Sequence, residues 1–195
     1  KNTSSIPKVN KQIPLPLQDR DSYFLPIVLT ITFLVFSPSL RNKFVNLDDT
    51  QYVIENPVIK NINTENLKAI FSEQFVGNYQ PLTMLSYMID YKLFGMNPFG
   101  WHLANLAFYL FCTLFVFLII EKISASKLIA FVTALLFGVH TLHVESVACV
   151  AERKDVLYGF FFLWSLYLYI VHTKQEKQFG KYFLFSLVLF VCALL

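Results

Sequence analysis

The sequence predicts an all-α integral membrane protein whose helices cross the bilayer. Of its 195 residues, 55% are hydrophobic and only 15% are charged, and the mean hydropathy is +0.52. Soluble domains carry about 25% charged residues, so this shortage indicates a chain adapted to lipid. Several apolar runs approach the roughly 20 residues that a helix needs to cross the hydrocarbon core. A soluble helical bundle is the alternative, but too many of these runs are apolar on every face.

The rest of the composition argues against several other classes of protein. The net charge of +3 is too small to indicate a partner made of nucleic acid. Cys112, Cys149 and Cys192 lie in or beside apolar runs, which is typical of small buried side chains and not of a disulfide framework or a structural zinc site. The chain begins without Met and ends within an apolar run, so we expect it to be part of a longer protein.

Five apolar runs follow a polar segment at residues 1–22, and each run is predicted to cross the membrane. The polar segment is rich in proline and in basic residues, which is typical of a disordered tail on the cytoplasmic side. A cleaved signal peptide is the alternative for the first run, but Pro38 makes a poor cleavage site. The predicted spans are residues 23–40, 101–120, 128–150, 156–171 and 182–195.

Residues 41–99 are predicted to form one large extracytoplasmic loop that carries two helices at the membrane surface. TENLKAIFSEQF has Thr64 as its predicted N-cap and apolar residues at helical spacing. QPLTMLSYMIDYKLFG is predicted to begin its helix at Pro81, and it is too polar to cross the bilayer. Two crossings separate this loop from the charged residues 152–155, so both are predicted to emerge on the same face of the membrane.

Asp48 and Asp49 are adjacent carboxylates a few residues beyond the first span. A turn or a helix cap is the ordinary role of such residues in a soluble protein. Beside a membrane, ionisable residues are more often functional. Two close carboxylates also disfavour each other's ionisation, so one of them can hold a raised pKa that suits a general base.

The stretch HTLHVESVACVAERKDVL places seven ionisable side chains in 18 positions between two apolar runs. Arg153 and Lys154 are suited to hold a phosphate, Arg by a bidentate fork and Lys as a point charge. Glu152 and Asp155 would order these two bases. A solvated loop is the alternative for these four residues, but it does not explain the ionisable residues within the apolar part of the stretch.

His140, His143 and Glu145 lie within that apolar part. The two histidines are spaced to share a helix face, and hydrogen-bonding side chains that line a cleft are the favoured interpretation. A metal site is the alternative. Glu145 points away from His143 on a helix, however, and the sequence holds no HExxH motif. The sequence therefore predicts no metal site.

Three motifs in order resemble the N-terminal membrane part of the transmembrane and tetratricopeptide-repeat proteins. These are O-mannosyltransferase-like members of the GT-C glycosyltransferase superfamily, with many bacterial relatives. The resemblance covers about residues 44–170 and implies a GT-C-type bundle of transmembrane helices with a large first extracytoplasmic loop. Members usually continue into tetratricopeptide repeats. The motifs are DDTQYVIENP, YQPLTMLSYMIDYKLFGMNPFGWHLANL and HTLHVESVACVAERKDVL.

The resemblance also implies an activity, the inverting transfer of a mannose-like sugar from a polyprenyl-phosphate donor to a hydroxyl, usually of a protein Ser or Thr, on the extracytoplasmic side. It implies that Asp48 or Asp49 is the general base and that Arg153 and Lys154 bind the donor phosphate. No cofactor is implied. Gln80 stands where many eukaryotic members carry arginine, which leaves the donor's identity open. The other residues matched to the cleft are Glu152, Asp155, His140, His143, Glu145, Tyr79 and Gln80.

Two further functions are alternatives from the sequence. One is a transporter of lipid-linked sugars, whose path intramembrane charges would line, and the other is a non-catalytic membrane anchor for the repeats. The expected partners are the bilayer, a polyprenyl-phosphate sugar and a hydroxyl acceptor on a protein, with no nucleic acid. The expected location is the bacterial inner membrane, which the short tail rich in Lys and Asn favours, with the endoplasmic reticulum membrane as the alternative.

Overall fold

The computed structural model describes residues 19–45, 48–175 and 180–195 of the chain. The predicted cytoplasmic tail at residues 1–22 lies largely outside these ranges. Within them no strand forms, and several helices are long and apolar enough to cross a bilayer, so the predicted all-α membrane class is confirmed. The α-helices of the described residues are α1 Phe24–Phe36, α2 Thr64–Ser72, α3 Pro81–Phe94, α4 Pro98–Ser124, α5 Lys127–Gly138, α6 Val144–Ala148, α7 Arg153–Thr173 and α8 Lys181–Leu194.

Three continuous helical segments of the described residues are long and apolar enough to cross a membrane, namely Asp21–Arg41, Pro98–Ser124 and Arg153–Thr173. The first consists of α1 and the short 3-10 turns at its two ends. α5 and the segment Thr141–Ala148 form a broken span or a re-entrant loop, with a bend of 49° between them. α8 is apolar but has only 14 residues. Each predicted run therefore contains an apolar helix, with the third run broken and the fifth short.

The bend in the third run lies where two helices approach each other closely and where polar residues begin. α5 ends at Gly138, which is so near α1 that an added Cβ would overlap the hydroxyl oxygen of Thr32 and lie 3.2 Å from Thr113 Cγ2. The next turn is closed by His140, whose Nδ1 accepts a hydrogen bond from the N–H of Leu142 at 3.2 Å. Only glycine fits at position 138 without moving its neighbours.

Replacing Gly138 with alanine is expected to lower the free energy of unfolding by about 1–3 kcal/mol, because an extra methyl group in a packed interior forces its neighbours apart. The measurement is thermal unfolding of the purified protein in detergent. Gly159→Ala is the matched control, since its added Cβ would meet Cys112 Sγ at 3.4 Å, an ordinary contact. Equal unfolding temperatures for the two variants would contradict the close approach of α1 and α5.

The two predicted helices of the first loop are present. The N-cap of α2 is Asn63, because its side chain accepts a hydrogen bond from the N–H of Asn66 at 2.7 Å, while Thr64 is already helical. The predicted cap at Thr64 is therefore wrong by one residue. α3 begins at Pro81, as predicted, and ends before Gly95, which has a positive φ of 58°. The position of both helices at the membrane surface stays a prediction.

A buried core joins the first loop to the start of α4 and to the residues just before α7. Side chains from such distant parts of the chain, packed at the density of a protein interior, fix the positions of these parts relative to one another. The loop is thereby held against the start of α7, beside the charged residues 152–155. The core residues, each at most 2% exposed, are Tyr52, Val53, Ile59, Ile70, Met84, Tyr87, Met88, Trp101, Val150 and Ala151.

Candidate functional site

Arg153, the first residue of α7, lies in a buried polar cluster. Its side chain is 0% exposed and forms an ion pair of 2.5 Å with Asp90 of α3. Its Nε donates a hydrogen bond to Asn105 Oδ1 at 2.7 Å, and its Nη2 donates to the carbonyl oxygen of Trp101 at 2.9 Å. The guanidinium carbon also lies 4.9 Å from the centre of the Tyr87 ring. These contacts connect α3, α4 and α7 at one point.

The burial of Arg153 corrects its predicted role as a ligand of the donor phosphate. A side chain without exposed surface, whose donors already have protein partners, does not meet a ligand, so Arg153 is a positioning residue. Burial raises the pKa of the Asp90 carboxyl, although the charge and the hydrogen bond of Arg153 act in the opposite direction. Asp90 therefore depends on Arg153 for any negative charge that it carries inside the protein.

The segment of residues 149–151, directly before α7, is held by side chains from distant parts of the chain. One of these side chains belongs to the first loop, so the loop and the charged stretch meet, and their predicted proximity is confirmed. Each residue of the segment has one such bond: Asn105 Nδ2 donates to the carbonyl of Cys149 (2.8 Å), the Tyr87 hydroxyl donates to the carbonyl of Val150 (2.9 Å), and the N–H of Ala151 donates to Asp49 Oδ1 (2.8 Å).

Asp48 and Asp49 have different surroundings although they are neighbours. Asp49 is 0% exposed, and its Oδ2 accepts a hydrogen bond from the N–H of Val45 at 2.9 Å, besides the bond from Ala151. The thiol of Cys149 lies 3.8 Å from Asp49 Oδ1, and burial together with this carboxylate raises the pKa of the thiol, which keeps it protonated as a donor. Asp48 is exposed. Of the two carboxylates, Asp48 is the one open to a ligand.

The charged residues 152–155 are the start of a helix and not a solvated loop. Glu152 precedes α7, and Lys154 lies in its first turn with 36% of its side chain exposed. Lys154 Nζ forms an ion pair with Glu152 at 3.1 Å. Asp155, in the same turn, accepts a hydrogen bond from the hydroxyl of Ser146 at 2.9 Å. Lys154 is therefore the accessible cation of this stretch.

A cavity of about 280 Å³, here named the polar cavity, opens beside the first turn of α7. Four of the predicted site residues line it, namely Tyr79, Gln80, Lys154 and Asp155. Ligand pockets usually measure about 300–1,000 Å³, so the volume of this cavity lies near the lower end of that range. The first loop with the start of α3, the start of α7 and the end of α8 all line this cavity.

A second cavity of about 210 Å³ lies between α4 and α7, and Asp155 lines it as well. Most of its other lining residues are apolar. His143 belongs to this second cavity, where its Nδ1 lies 2.7 Å from the hydroxyl oxygen of Tyr109 and 3.2 Å from the carbonyl oxygen of Phe137. His143 therefore lines a cleft as a hydrogen-bonded side chain, separate from the polar cavity.

His140 and Glu145 are exposed and line neither of these two cavities. The ring centres of His140 and His143 are 5.6 Å apart. Across residues 19–45, 48–175 and 180–195, no three His, Cys, Asp or Glu side chains are grouped closely enough to hold a metal ion. The structure thus brings Tyr79, Gln80, Lys154 and Asp155 together at the polar cavity, and it leaves His140, Glu145 and Asp48 outside both cavities.

Three polar residues that shape this region, Asp90, Asn105 and Tyr109, are absent from the sites predicted from the sequence. Asn105 and Tyr109 interrupt an apolar span and share one helix face at a spacing of four residues. A polar side chain in a span usually has a partner inside the protein, and this rule is the signal that identifies such residues. Asp90 carries a related signal, as a buried acidic residue of α3.

The fold and the site together define a multi-pass membrane protein whose first loop packs its charged and polar residues against the start of a later helix. Over 147 residues, the chain is 36% identical to protein O-mannosyl-transferase TMTC1 of Mus musculus and 33% identical to TMTC1 of Homo sapiens. Over 166 residues, it is 28% identical to protein O-mannosyl-transferase F38B6.6 of Caenorhabditis elegans. The chain is therefore related to the TMTC protein O-mannosyl-transferases, as its motifs predict.

The similarity covers most of this chain but a small part of each relative. The matches to the mouse and human proteins include 70% of the chain, and the match to the nematode protein includes 78%. The same matches cover 15%, 16% and 23% of the relatives' own lengths. No family model matches the chain, and no solved structure matches it. The GT-C type of bundle stays a prediction.

Proposed function

We propose that this chain is the donor-binding part of a membrane glycosyltransferase. The reaction moves a mannose-like sugar from a polyprenyl phosphate to a Ser or Thr hydroxyl of a protein on the extracytoplasmic side. The observation that carries the proposal is the polar cavity, where Lys154 and Asp155 of α7 lie with Tyr79 and Gln80 of the first loop. The activity in the names of the relatives, protein O-mannosyl transfer, supports the same class of reaction.

Lys154 is the residue that holds the donor phosphate, in place of the buried Arg153. Its ion pair with Glu152 keeps the ammonium group near the polar cavity while a third of the side chain stays exposed. The cavity also lies at the N-terminus of α7, a helix of 21 residues, whose dipole favours a negative charge. Both features stabilise the charge that develops on the phosphate as the sugar departs.

Asp48 is proposed as the general base, and Asp49 as the residue that fixes its position. The acceptor oxygen attacks the anomeric carbon while the bond from that carbon to the phosphate oxygen breaks. The phosphate leaves with the bonding electrons, and the hydroxyl proton passes to the Asp48 carboxylate. This single displacement inverts the configuration of the anomeric carbon. Exposure selects Asp48 for this role, because a base must reach its substrate.

The proposed location is the membrane of the endoplasmic reticulum, with the polar cavity on the lumenal side. The relatives named above are animal proteins, from mouse, human and a nematode. They give no support to the bacterial inner membrane that the composition of the tail favours. The positive-inside rule, applied to the Lys and Arg residues of the chain, supports a cytoplasmic N-terminus in either membrane.

Lys154→Gln is expected to lower the rate of sugar transfer about 100-fold, because it removes the charge that faces the departing phosphate. The assay uses the full-length protein in lipid, with polyprenyl-phosphate mannose as donor and a Ser/Thr peptide as acceptor. Lys68→Gln is the matched control, since Lys68 is exposed on α2 and lines neither cavity. Equal rates for the two variants would remove Lys154 from the site. Absence of transfer by the unchanged protein would overturn the proposed donor.

A further inference from the structure

We infer that the second cavity, between α4 and α7, binds a membrane alcohol, that is, an amphiphilic molecule with a hydroxyl head group and an apolar body. The hydroxyl donates its hydrogen bond to Nε2 of His143. The residues that line this cavity come from α4, α5, α6 and α7 and from the turn before α6. Binding of such a molecule does not depend on the proposed sugar transfer.

The hydrogen bonds of His143 determine which of its ring nitrogens carries the proton. Nδ1 lies 3.2 Å from the carbonyl oxygen of Phe137, and a carbonyl only accepts, so Nδ1 is the protonated nitrogen. The Tyr109 hydroxyl donates to the same carbonyl, so its oxygen accepts from Nδ1 at 2.7 Å. The neutral ring therefore has its lone pair on Nε2. Among the described residues Nε2 has no hydrogen-bond partner, and it is not a buried atom, so a molecule in the cavity can reach it.

The other polar side chains of the cavity already donate their hydrogens to protein acceptors. The thiol of Cys112 donates to the carbonyl of Val156 at 3.5 Å, and the hydroxyl of Ser146 donates to the Asp155 carboxylate at 2.9 Å. The groups left for a ligand are acceptors, namely Nε2 of His143 and the carboxylate. An ionised phosphate or carboxylate head group only accepts hydrogen bonds and does not fit. Of the donors, a hydroxyl loses less hydration than a charged ammonium on entering a mostly apolar cavity.

The cavity extends along α7 from this polar end towards the middle of the membrane. Asp155, Gly159 and Leu163 all line it at intervals of four residues, so they share one helix face over about 12 Å. Leu163 lies at the centre of α7, a helix that is long and apolar enough to cross a bilayer. Gly159 has no side chain, which leaves room between α7 and Cys112 of α4. A hydroxyl at the Asp155 end with an apolar body towards Leu163 matches this arrangement.

The test measures binding of two alcohols with this chemistry, cholesterol and a polyprenol, each beside its methyl ether, to the full-length protein by native mass spectrometry. The ether keeps the apolar body and has no donor hydrogen. We expect at least one alcohol to bind, and to bind at least about fivefold more tightly than its ether, because the ether forfeits the hydrogen bond to Nε2. The alcohol that binds shows whether the body is a ring system or a chain. Equal affinity for alcohol and ether, or no binding of either alcohol, would overturn the inference.

His143→Asn keeps a donor near the position of Nδ1 and has no atom at that of Nε2, so it is expected to reduce the ratio of the two affinities to about twofold or less. His140→Asn, at an exposed histidine that lines neither cavity, is the matched control and keeps the full ratio. A full ratio in a folded His143→Asn protein, judged by thermal unfolding, would overturn the inference.

Gly159→Leu tests the same cavity without changing the hydrogen bonds of His143, and it decides the matter if His143→Asn does not fold. The added side chain fills the space beside Cys112, so the affinities for alcohol and ether are both expected to fall at least about tenfold. Unchanged affinity for the alcohol in Gly159→Leu would place the alcohol outside the second cavity. None of these measurements involves sugar transfer, so their outcome is separate from that of the proposed function.

Discussion

Replacement of Arg153 by methionine is expected to lower the free energy of unfolding by about 3–5 kcal/mol, the largest change in stability at this site. The variant leaves the Asp90 carboxylate buried without its cation, and breaking a buried ion pair from one side costs about this much. It also removes the donors to Asn105 and to the Trp101 carbonyl. The measurement is chemical or thermal unfolding in detergent. Arg41→Met, at an exposed arginine, is the matched control.

The loss in the Arg153→Met variant is expected to depend on pH. Burial raises the pKa of Asp90, and the variant removes the charge that acts against this shift. A carboxyl whose pKa is higher in the folded protein holds its proton more tightly there, so its contribution is present below the ordinary carboxyl pKa of about 3.9 and is lost as the pH rises through the folded value. The variant is therefore least stable at neutral and alkaline pH and recovers in acid.

A double variant tests the contribution of the same ion pair by removing both of its charges. Asp90→Leu combined with Arg153→Met removes both charges, and apolar replacement of a whole buried pair is often close to neutral. We expect the double variant to recover most of the stability that Arg153→Met loses. A double variant as unstable as the sum of the two single ones would show that the packing of the two side chains, and not their charges, stabilises this junction.

Asp48→Asn is expected to reduce sugar transfer by at least about 100-fold, because an amide does not accept the proton of the attacking hydroxyl, and general base catalysis contributes about 10²–10⁴-fold. Its unfolding temperature is expected to be unchanged, since Asp48 is exposed. The measurement pairs the transfer assay with thermal unfolding of the same preparation. Lost activity together with an unchanged unfolding temperature is the result expected when the replaced carboxylate is catalytic.

Asp49→Asn provides the comparison at the neighbouring residue. The Asp49 carboxylate accepts hydrogen bonds from the N–H groups of Val45 and Ala151, and an amide nitrogen placed against either donor loses that bond. We therefore expect Asp49→Asn to unfold at a lower temperature, in contrast to Asp48→Asn. Wild-type transfer by a folded Asp48→Asn protein would exclude Asp48 as the base.

The helices of this protein are predictable because long apolar runs and their end signals are local properties of the sequence. The start of α3 follows from Pro81, whereas the third run, predicted as one span over residues 128–150, is broken after Gly138. The meeting of the first loop with the 149–151 segment agrees with the prediction that two crossings return the chain to the same face of the membrane. What the apolar pattern leaves open is the direction in which each polar side chain points.

Neighbouring residues with the same charge illustrate that limit. Residues next to each other on a helix point in directions about 100° apart, so one of Arg153 and Lys154 can face the core while the other faces a cavity. Arg153 is the buried one because Asp90 lies on its side, and Asp90 comes from a different helix far away in the sequence. Asp48 and Asp49 differ for the same kind of reason, since the N–H of Ala151 donates a hydrogen bond to Asp49, which is buried, while Asp48 stays exposed. Such choices depend on partners that only the folded chain brings together.

The hydrogen bond between Tyr87 and the carbonyl of Val150 joins residues that are 63 positions apart. A ribosome adds about 5–20 residues per second, so Tyr87 is synthesised about 3–13 s before Val150. During that interval Tyr87 lacks its hydrogen bond to Val150, and Asp90 lacks its ion pair with Arg153. The first loop is therefore made before the segment that completes its packing, and its buried polar groups gain their last partners only after residues 149–153 have been synthesised.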